Sequence, residues 1–252
     1  MPERPSVSVC MATYNGSRFV REQIDSILAQ LHEHDELLVI DDESTDGTAD
    51  LVEDIGDRRI VVHRNARNLG YVRTFERALT LARNEVLVLS DQDDVWIDGR
   101  LDALVDATAS HAVVASNLLL LESHAPLRSP ITGRPWLLRS RDAARRMRNE
   151  ARILLGDAPY FGCTMALRRD ALDLVLPFPD HLDESHDLWI ATVANASAVL
   201  GHLEQPTLLR RVHSDNASTP RPRGVRAALR SRLLLLRLWR EARRRRSSLR
   251  SR

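Results

Sequence analysis

The sequence predicts an α/β fold, a mainly parallel β-sheet flanked by helices, and three observations carry that prediction. Short apolar runs alternate with stretches of helical periodicity through about residue 100, a pattern that right-handed crossovers turn into a parallel sheet. Three of these runs end directly in polar clusters, TYNGS, DDESTDGT and SDQDD. In such a sheet those clusters gather beyond the carboxyl ends of the strands, where ligands bind. At 252 residues and 43% hydrophobic content, the chain is long enough to bury a full core.

The first strand, VSVCMA (7–12), stops at Asn15-Gly16, after which Phe19, Val20, Ile24, Ile27, Leu28 and Leu31 follow helical spacing. ELLVI (36–40) is a second buried strand, and Ser44, Thr45 and Asp46 offer N-caps to a helix running through Ile55. RIVVH (59–63) makes a third strand, NLGYVRTFERALTLAR (68–83) a loop and amphipathic helix, and EVLVLS (85–90) a fourth strand. After residue 100 the alternation loosens. AVVASNLLLL (112–121) reads as a longer strand, SHAPLRSPITGRPW (123–136) as an irregular segment, RDAARRMRNEARILL (141–155) as helix, GCTMALRR (162–169) as strand and HDLWIATVANASAVL (186–200) as helix.

Charge is distributed unevenly. All 36 basic residues are Arg, and residues 221–252 hold thirteen of them against one Glu, so an acidic body carries a strongly basic tail. The two cysteines, Cys10 and Cys163, sit in apolar surroundings without metal-ligand spacing, which predicts buried free thiols and neither a structural disulfide nor a zinc site. The longest apolar-rich run, AVVASNLLLL, falls well short of the ~20 residues that a spanning helix needs. A cytosolic protein, or one attached to a membrane surface, is expected.

The stretch VLVLSDQDDVWID (86–98) releases Asp91, Asp93 and Asp94 at the end of an apolar strand. Like charges placed there repel unless a cation compensates them. Asp91 and Asp93 are two apart and face one side of an extended segment. That suits a hard divalent ion which takes oxygen ligands and keeps positions for phosphate oxygens. The competing reading is that these acids cap the following helix. Asp41 and Asp42 end ELLVI in the same way; they either accept the imide N–H of a pyrimidine base or serve only as turn chemistry.

The segments VSVCMATYNGSRFVREQIDSILAQ, LLVIDDESTDGTADLV, NLGYVRTFERALTLARNEVLVLSDQDDVW, GCTMAL, HDLWIATVA and RRVHSDNAS resemble, in order, the motifs of the family 2 glycosyltransferases of GT-A fold, a Rossmann-like sugar-nucleotide transferase architecture. Within these, SDQDDVW, HDLW and RVHSDN are most similar to the bacterial rhamnosyltransferase-like branch, and the resemblance covers about residues 5–218. It implies that Ala12 and Tyr14 line the pyrimidine nucleotide and that Asp42 binds the base. It further implies that Asp91 and Asp93 touch the ribose and hold Mg²⁺ or Mn²⁺ on the diphosphate, with Asp94 near the donor sugar. Asp187 matches the catalytic base, and His213 a position that closes over diphosphate and metal. Arg73 could reach the diphosphate, or lie on a solvated helix face. Asp187 could also serve as a first-turn residue of its helix, a role compatible with catalysis. Thr74, Arg168 and Leu209 depart from the branch pattern, which bears on the sugar and the acceptor rather than on the reaction.

The expected reaction is metal-dependent, inverting transfer of a sugar, L-rhamnose from dTDP-rhamnose or a sugar from a UDP-sugar. The acceptor is a hydroxyl of a cell-surface polysaccharide or lipid-linked glycan. A polyprenyl-phosphate sugar synthase and a non-catalytic sugar-nucleotide or membrane-binding module are the alternatives. The expected organisation is a GT-A domain over residues 1–220, with a nucleotide half to about 100 and an acceptor half beyond it, then the tail at 221–252. Residues 225–246 can form a basic helix with a broad Leu, Ala and Trp face, which suits an anionic membrane surface. Packing of that helix on its own body is the other option, and no nucleic-acid partner is expected.

Overall fold

The structure, a computed structural model, describes residues 4–213 and 224–250. Its first half is four parallel strands and the helices between them: β1 (Val7–Thr13), α1 (Val20–Leu28), β2 (Glu36–Asp41), α2 (Thr48–Glu53), β3 (Ile60–Arg64), α3 (Tyr71–Leu81) and β4 (Val86–Ser90). A two-residue β5 (Val95–Trp96), α4 (Arg100–Thr108) and β6 (Val113–Leu120) follow, then α5 (Arg146–Leu155), β7 (Met165–Arg168), α6 (Leu172–Val175), α7 (His186–Ser197), β8 (Leu200–Arg210) and α8 (Val225–Arg250). The strands form one sheet in the order β3-β2-β1-β4-β7-β6-β8-β5.

The sheet is mixed. β7 runs antiparallel between β4 and β6, so the parallel first half and the β6–β8 pair meet across a reversed strand. Alternation along the strands supplies both faces with core residues. Cys10, Leu38, Ile40, Leu87 and Leu89 pack with Phe75, Leu79 and Trp189 on one side. Val9, Met11, Leu37, Val39 and Val88 pack with Ile24, Ile27, Leu101 and Leu104 on the other. A sheet covered on both faces is the usual condition for parallel strands.

Several local expectations shift in the structure. The acids of SDQDD do not cap a helix, because β5 intervenes and α4 starts after Gly99, which is left-handed at φ 78°. At α2 the N-cap position is held by Gly47, although Asp46 Oδ1 still accepts the Thr48 N–H at 3.1 Å. The helix expected over 186–200 ends at Ser197, and Leu200–Arg210 is instead a long strand. Gly201 and Pro206 mask that strand in the sequence, since both weaken a strand pattern; Pro206 is accommodated at a register shift against Asn117.

The basic helix α8 packs on the body. Leu234, Leu235, Leu238 and Ala242 are buried with α7 and α5 in the larger core, and Arg245 donates to the carbonyls of Leu174, Val175 and Pro177. Leu229, Leu233 and Leu236 stay exposed among Arg226, Arg230, Arg237 and Arg240. Among the described residues, no helix is long and apolar enough to cross a membrane.

Candidate active site

Three loops meet at the carboxyl edge of the parallel strands. The loop after β1 is tied to the acidic loop after β4 through Gln92, whose Oε1 accepts the Tyr14 N–H at 2.9 Å and whose Nε2 donates to the Tyr14 carbonyl at 3.0 Å. Gly16 makes that clamp possible, because a Cβ there would collide with the Gln92 side chain. The same loop is held to the segment after β2 by Asn15 N–H to Ser44 Oγ at 2.9 Å and Thr45 N–H to Asn15 Oδ1 at 2.8 Å.

Asp41 and Asp42 are buried and amply bonded. Asp41 accepts from Thr13 Oγ1, Ser44 Oγ and Ser44 N–H. Asp42 accepts from Asn65 Nδ2 at 2.6 Å, Leu69 N–H at 2.8 Å and Gly70 N–H at 2.8 Å. A carboxylate offers about four acceptor positions, so Asp42, which lines the cavity described below, keeps capacity for one more donor.

The loop after β4 is built differently. Asp91 is half-buried while Asp93 and Asp94 are buried. Asp94 Oδ1 accepts the Arg211 N–H at 3.0 Å, but Asp94 Oδ2 is buried without a partner. Asp93 Oδ2 lies 2.7 Å from His213 Nε2, and that imidazole rests on Phe19 with ring centroids 4.7 Å apart. Burial first, and then the neighbouring carboxylates, push the Asp91 and Asp94 carboxyls well above the ordinary range, a rise that Arg210 opposes.

Asp91, Asp94 and Cys163 bring potential ligand atoms within 4.8 Å of one another. Burial holds the Cys163 thiol protonated, far above its usual range, so the available ligands are oxygens and the set fits a hard divalent cation. The orphaned Asp94 Oδ2 and the acids' mutual repulsion are what such an ion would relieve. Arg100, fully buried beneath them and still cationic with its pKa lowered to about 10 by burial, compensates part of the charge. Its guanidinium donates to Thr207 Oγ1 at 2.5 Å and the Cys163 carbonyl at 2.6 Å.

Across the cleft, α7 delivers Asp187 in its first turn, after Ser185 enters the left-handed region at φ 61°. Such a backbone is strained for a non-glycine residue and clusters at functional sites. Asp187 Oδ1 accepts the Leu188 N–H at 2.8 Å. Burial raises the carboxyl to about 6, against hydrogen bonds from backbone N–H groups and the charge of Arg210. A single cavity of about 410 Å³ joins these parts and is lined by Ala12, Tyr14, Asp42, Asp91, Asp93, Asp94, Asp187 and Arg210 among others.

Most residues singled out in the sequence therefore line one cavity. His213 is tied to it through Asp93. Arg73 is not brought there: its guanidinium is occupied by Glu76 Oε2 at 2.7 Å and by the carbonyls of Phe178, Pro179 and Asp180, so it anchors the loop before α7 instead of facing the acids. Sequence reasoning missed Arg210, whose guanidinium also lies over the Phe161 ring, 5.2 Å from its centroid. It also missed His186, Gly162 and the Gln92 clamp. A signal for Gln92 was available, since the residue between two same-side acids in an extended segment points the other way.

The comparisons with known proteins agree with this geometry. The chain is 34% identical over 96 residues to WfgD and 30% identical over 95 residues to WfaP, both described as UDP-Glc:alpha-D-GlcNAc-diphosphoundecaprenol beta-1,3-glucosyltransferases of Escherichia coli. Each match covers 38% of this chain and 38% of the relative, so the chain spans about two fifths of the curated relatives it matches. The fold is similar to S. aureus TarS 1-349 in complex with UDP-GlcNAc, with a TM-score of 0.69 and 19% identity, over 92% of this chain and 66% of that one. Because residues 8–175 match the model of Glycosyl transferase family 2, the chain belongs to that family, and its doubly covered mixed sheet is a GT-A α/β fold.

Proposed function

We propose that the protein is a metal-dependent, inverting glycosyltransferase that moves a sugar from a pyrimidine nucleoside diphosphate to a hydroxyl of a surface polysaccharide or lipid-linked glycan. The observation that carries the reading is the convergence of the strand-end acids and Asp187 on one cavity. The base end of the donor lies by Ala12, Tyr14 and Asp42, and the diphosphate lies along the loop after β4. Asp91 and Asp93, with His213 beside Asp93, would hold Mg²⁺ or Mn²⁺, whose charge would also offset that of the neighbouring Asp94, and Asp94 faces the donor sugar. The bound cation supplies neutralisation of the charge that develops on the leaving diphosphate.

Asp187 takes the proton of the acceptor hydroxyl as its oxygen bonds to the anomeric carbon. The bond from that carbon to the phosphate oxygen breaks on the opposite face, and the nucleoside diphosphate leaves. A single displacement inverts the configuration. A carboxyl raised to about 6 is well placed for the role, since a general base works best with a pKa near the operating pH.

dTDP-rhamnose is proposed as donor on the resemblance of SDQDDVW, HDLW and RVHSDN to the rhamnosyltransferase-like branch, and UDP-glucose is the competing donor on the names of the relatives. The chain is proposed to act at the cytoplasmic face of a membrane, where an anionic surface meets α8. Its exposed Leu229, Leu233 and Leu236 among arginines make an interfacial face. Replacing these three leucines by Glu should abolish sedimentation with anionic vesicles and leave the buried Leu235 and Leu238 contacts intact; unchanged sedimentation would refute the membrane role.

The activity is tested by release of nucleoside diphosphate and of glycosylated acceptor from UDP-glucose and dTDP-rhamnose, with Mn²⁺ and with EDTA, on undecaprenyl-diphosphate-linked saccharide. Mn²⁺-dependent transfer from one donor is expected, with Asp187→Asn inactive. Near-normal turnover by Asp187→Asn would contradict the assignment of the base.

A further inference from the structure

His186, the residue before the proposed base, presents a feature that the mechanism above does not use. Its side chain is buried, 5% exposed, yet neither ring nitrogen has a hydrogen-bond partner. The imidazole stacks on Phe75, with centroids 4.4 Å apart and planes at 22°, and meets the Tyr71 ring at 5.6 Å. Gly162 gives it room, for a Cβ there would stand 2.6 Å from Nε2. An apolar ring would fill this space without stranding two polar atoms. Buried polar groups are almost always paired, so a pair of orphaned nitrogens in a ligand cavity points to a partner brought by the ligand.

We propose that His186 is a specificity-determining contact for the transferred sugar, an imidazole nitrogen hydrogen-bonding a hydroxyl of the donor's sugar ring. The inference rests on the donor reading given under Proposed function. One cavity is lined by Ala12, Tyr14 and Asp42, by the acidic loop, and by Gly162, His186 and the proposed base Asp187. Inverting transfer sets the donor's anomeric carbon within reach of the acceptor oxygen that Asp187 deprotonates, so a nucleotide sugar with its diphosphate on the acids brings its sugar ring beside Asp187 and the adjoining His186. His186 lies deeper than Asp187, which is partly exposed, so the donor covers His186 before an acceptor reaches the base from the mouth.

The chemistry of the imidazole selects a hydroxyl. Burial lowers its pKa to about 3, so it is neutral at working pH and offers one N–H donor and one acceptor nitrogen. A hydroxyl can satisfy either atom. A phosphate or carboxylate, with no proton to give, would satisfy only one of them and would gain no charge pairing. Phe75 and Tyr71 complete an aromatic wall of the kind that packs against the apolar face of a sugar ring.

The test measures affinity by calorimetry for two matched pairs, UDP with UDP-glucose and dTDP with dTDP-rhamnose, in Mn²⁺, using the pair that the wild-type protein binds. His186→Phe keeps the aromatic packing and should weaken binding of the sugar nucleotide about tenfold while the affinity for the bare nucleotide stays within about twofold. His186→Asn, which keeps a donor and an acceptor, should recover part of the sugar's contribution. If His186→Phe binds the sugar nucleotide as tightly as wild type does, or loses both ligands in parallel, or if His186→Asn is no better than His186→Phe, the inference is overturned. Wild-type protein that binds neither pair overturns the donor reading itself and this inference with it, whereas binding of the bare nucleotides by every variant keeps the two outcomes distinct.

Discussion

The two acidic clusters at the ends of β2 and β4 look alike in sequence and are opposites in structure. Asp41 and Asp42 take hydrogen bonds from Thr13, Ser44, Asn65, Leu69 and Gly70, and so pin the end of β1 and the loops after β2 and β3 in place. Asp91 is pushed upward in pKa by burial and by Asp93, Asp94 is pushed upward by burial and by Asp91 and Asp93, and Asp94 Oδ2 is left without a partner. A carboxylate supplied with N–H donors is architecture, with limited spare capacity for a ligand. Carboxylates crowded in a cavity, one of them with a buried oxygen that no donor meets, are a candidate site for a cation.

The contrast is broken most severely by changing the acids of the second cluster. Asp93→Asn should lower transfer by about 10³-fold or more through loss of charge at the leaving diphosphate, while the melting temperature in the absence of metal stays level or rises as repulsion is relieved. Steady-state kinetics beside a thermal melt would show both; a large loss of stability would place Asp93 with the architectural acids.

The next effect is on pH. Asp91 and Asp94 have folded-state pKa values above their ordinary 3.8, so the folded protein binds more protons than the unfolded chain in the interval between. The stability these two carboxyls contribute is therefore greatest below that ordinary value and declines as pH rises, through about 8 for Asp94. The decline should be on the order of a few kcal/mol. Mn²⁺ should reverse it, most at the alkaline end, and Asp94→Asn should flatten it. Thermal melts across pH with EDTA or Mn²⁺ check this, and an Asp94→Asn variant whose metal-free pH dependence matches that of wild type would refute it.

Asp42→Asn should cost about 1–3 kcal/mol, because an amide turned toward the Leu69 and Gly70 N–H groups leaves a buried donor unsatisfied. Denaturant unfolding reads that loss, which should be insensitive to metal. The smallest effect is expected at Arg210. Its charge holds down the Asp187 carboxyl, so Arg210→Met should move the acid limb of the rate profile to higher pH by about one unit or less. An unmoved limb would remove Arg210 from the environment of the base.

Much of this was legible in the sequence where local pattern and chemistry coincide. The apolar runs of β1, β2, β3 and β4 are short, and each is closed by turn chemistry, so their placement and the clustering of their loops follow from periodicity alone. The second half was less legible. β8 carries Gly201 and Pro206 and is held by its pairing with β6 and β5, a long-range property that no local window contains. Arg210 went unnoticed for the same reason, because its position at the end of a strand was not recognised.

Arg73 shows the opposite failure. Its place in the loop-helix after NLGY suggested a phosphate contact, but the carbonyls of residues 178–180, more than a hundred positions away, satisfy its guanidinium. The tail divides along the same line. Periodicity showed a helix with apolar rows, whereas only the tertiary structure shows that Leu234, Leu235, Leu238 and Ala242 are buried while Leu229, Leu233 and Leu236 face outward.

The most direct test of the contrast between the clusters is calorimetric titration of UDP and dTDP into the protein with Mn²⁺ and with EDTA, repeated on Asp93→Asn. The account predicts that Mn²⁺ tightens binding of one of the two nucleotides about tenfold or more and that Asp93→Asn abolishes the metal's contribution while leaving residual nucleotide affinity. Equal affinity in Mn²⁺ and EDTA, or an undiminished response to Mn²⁺ in Asp93→Asn, would contradict it.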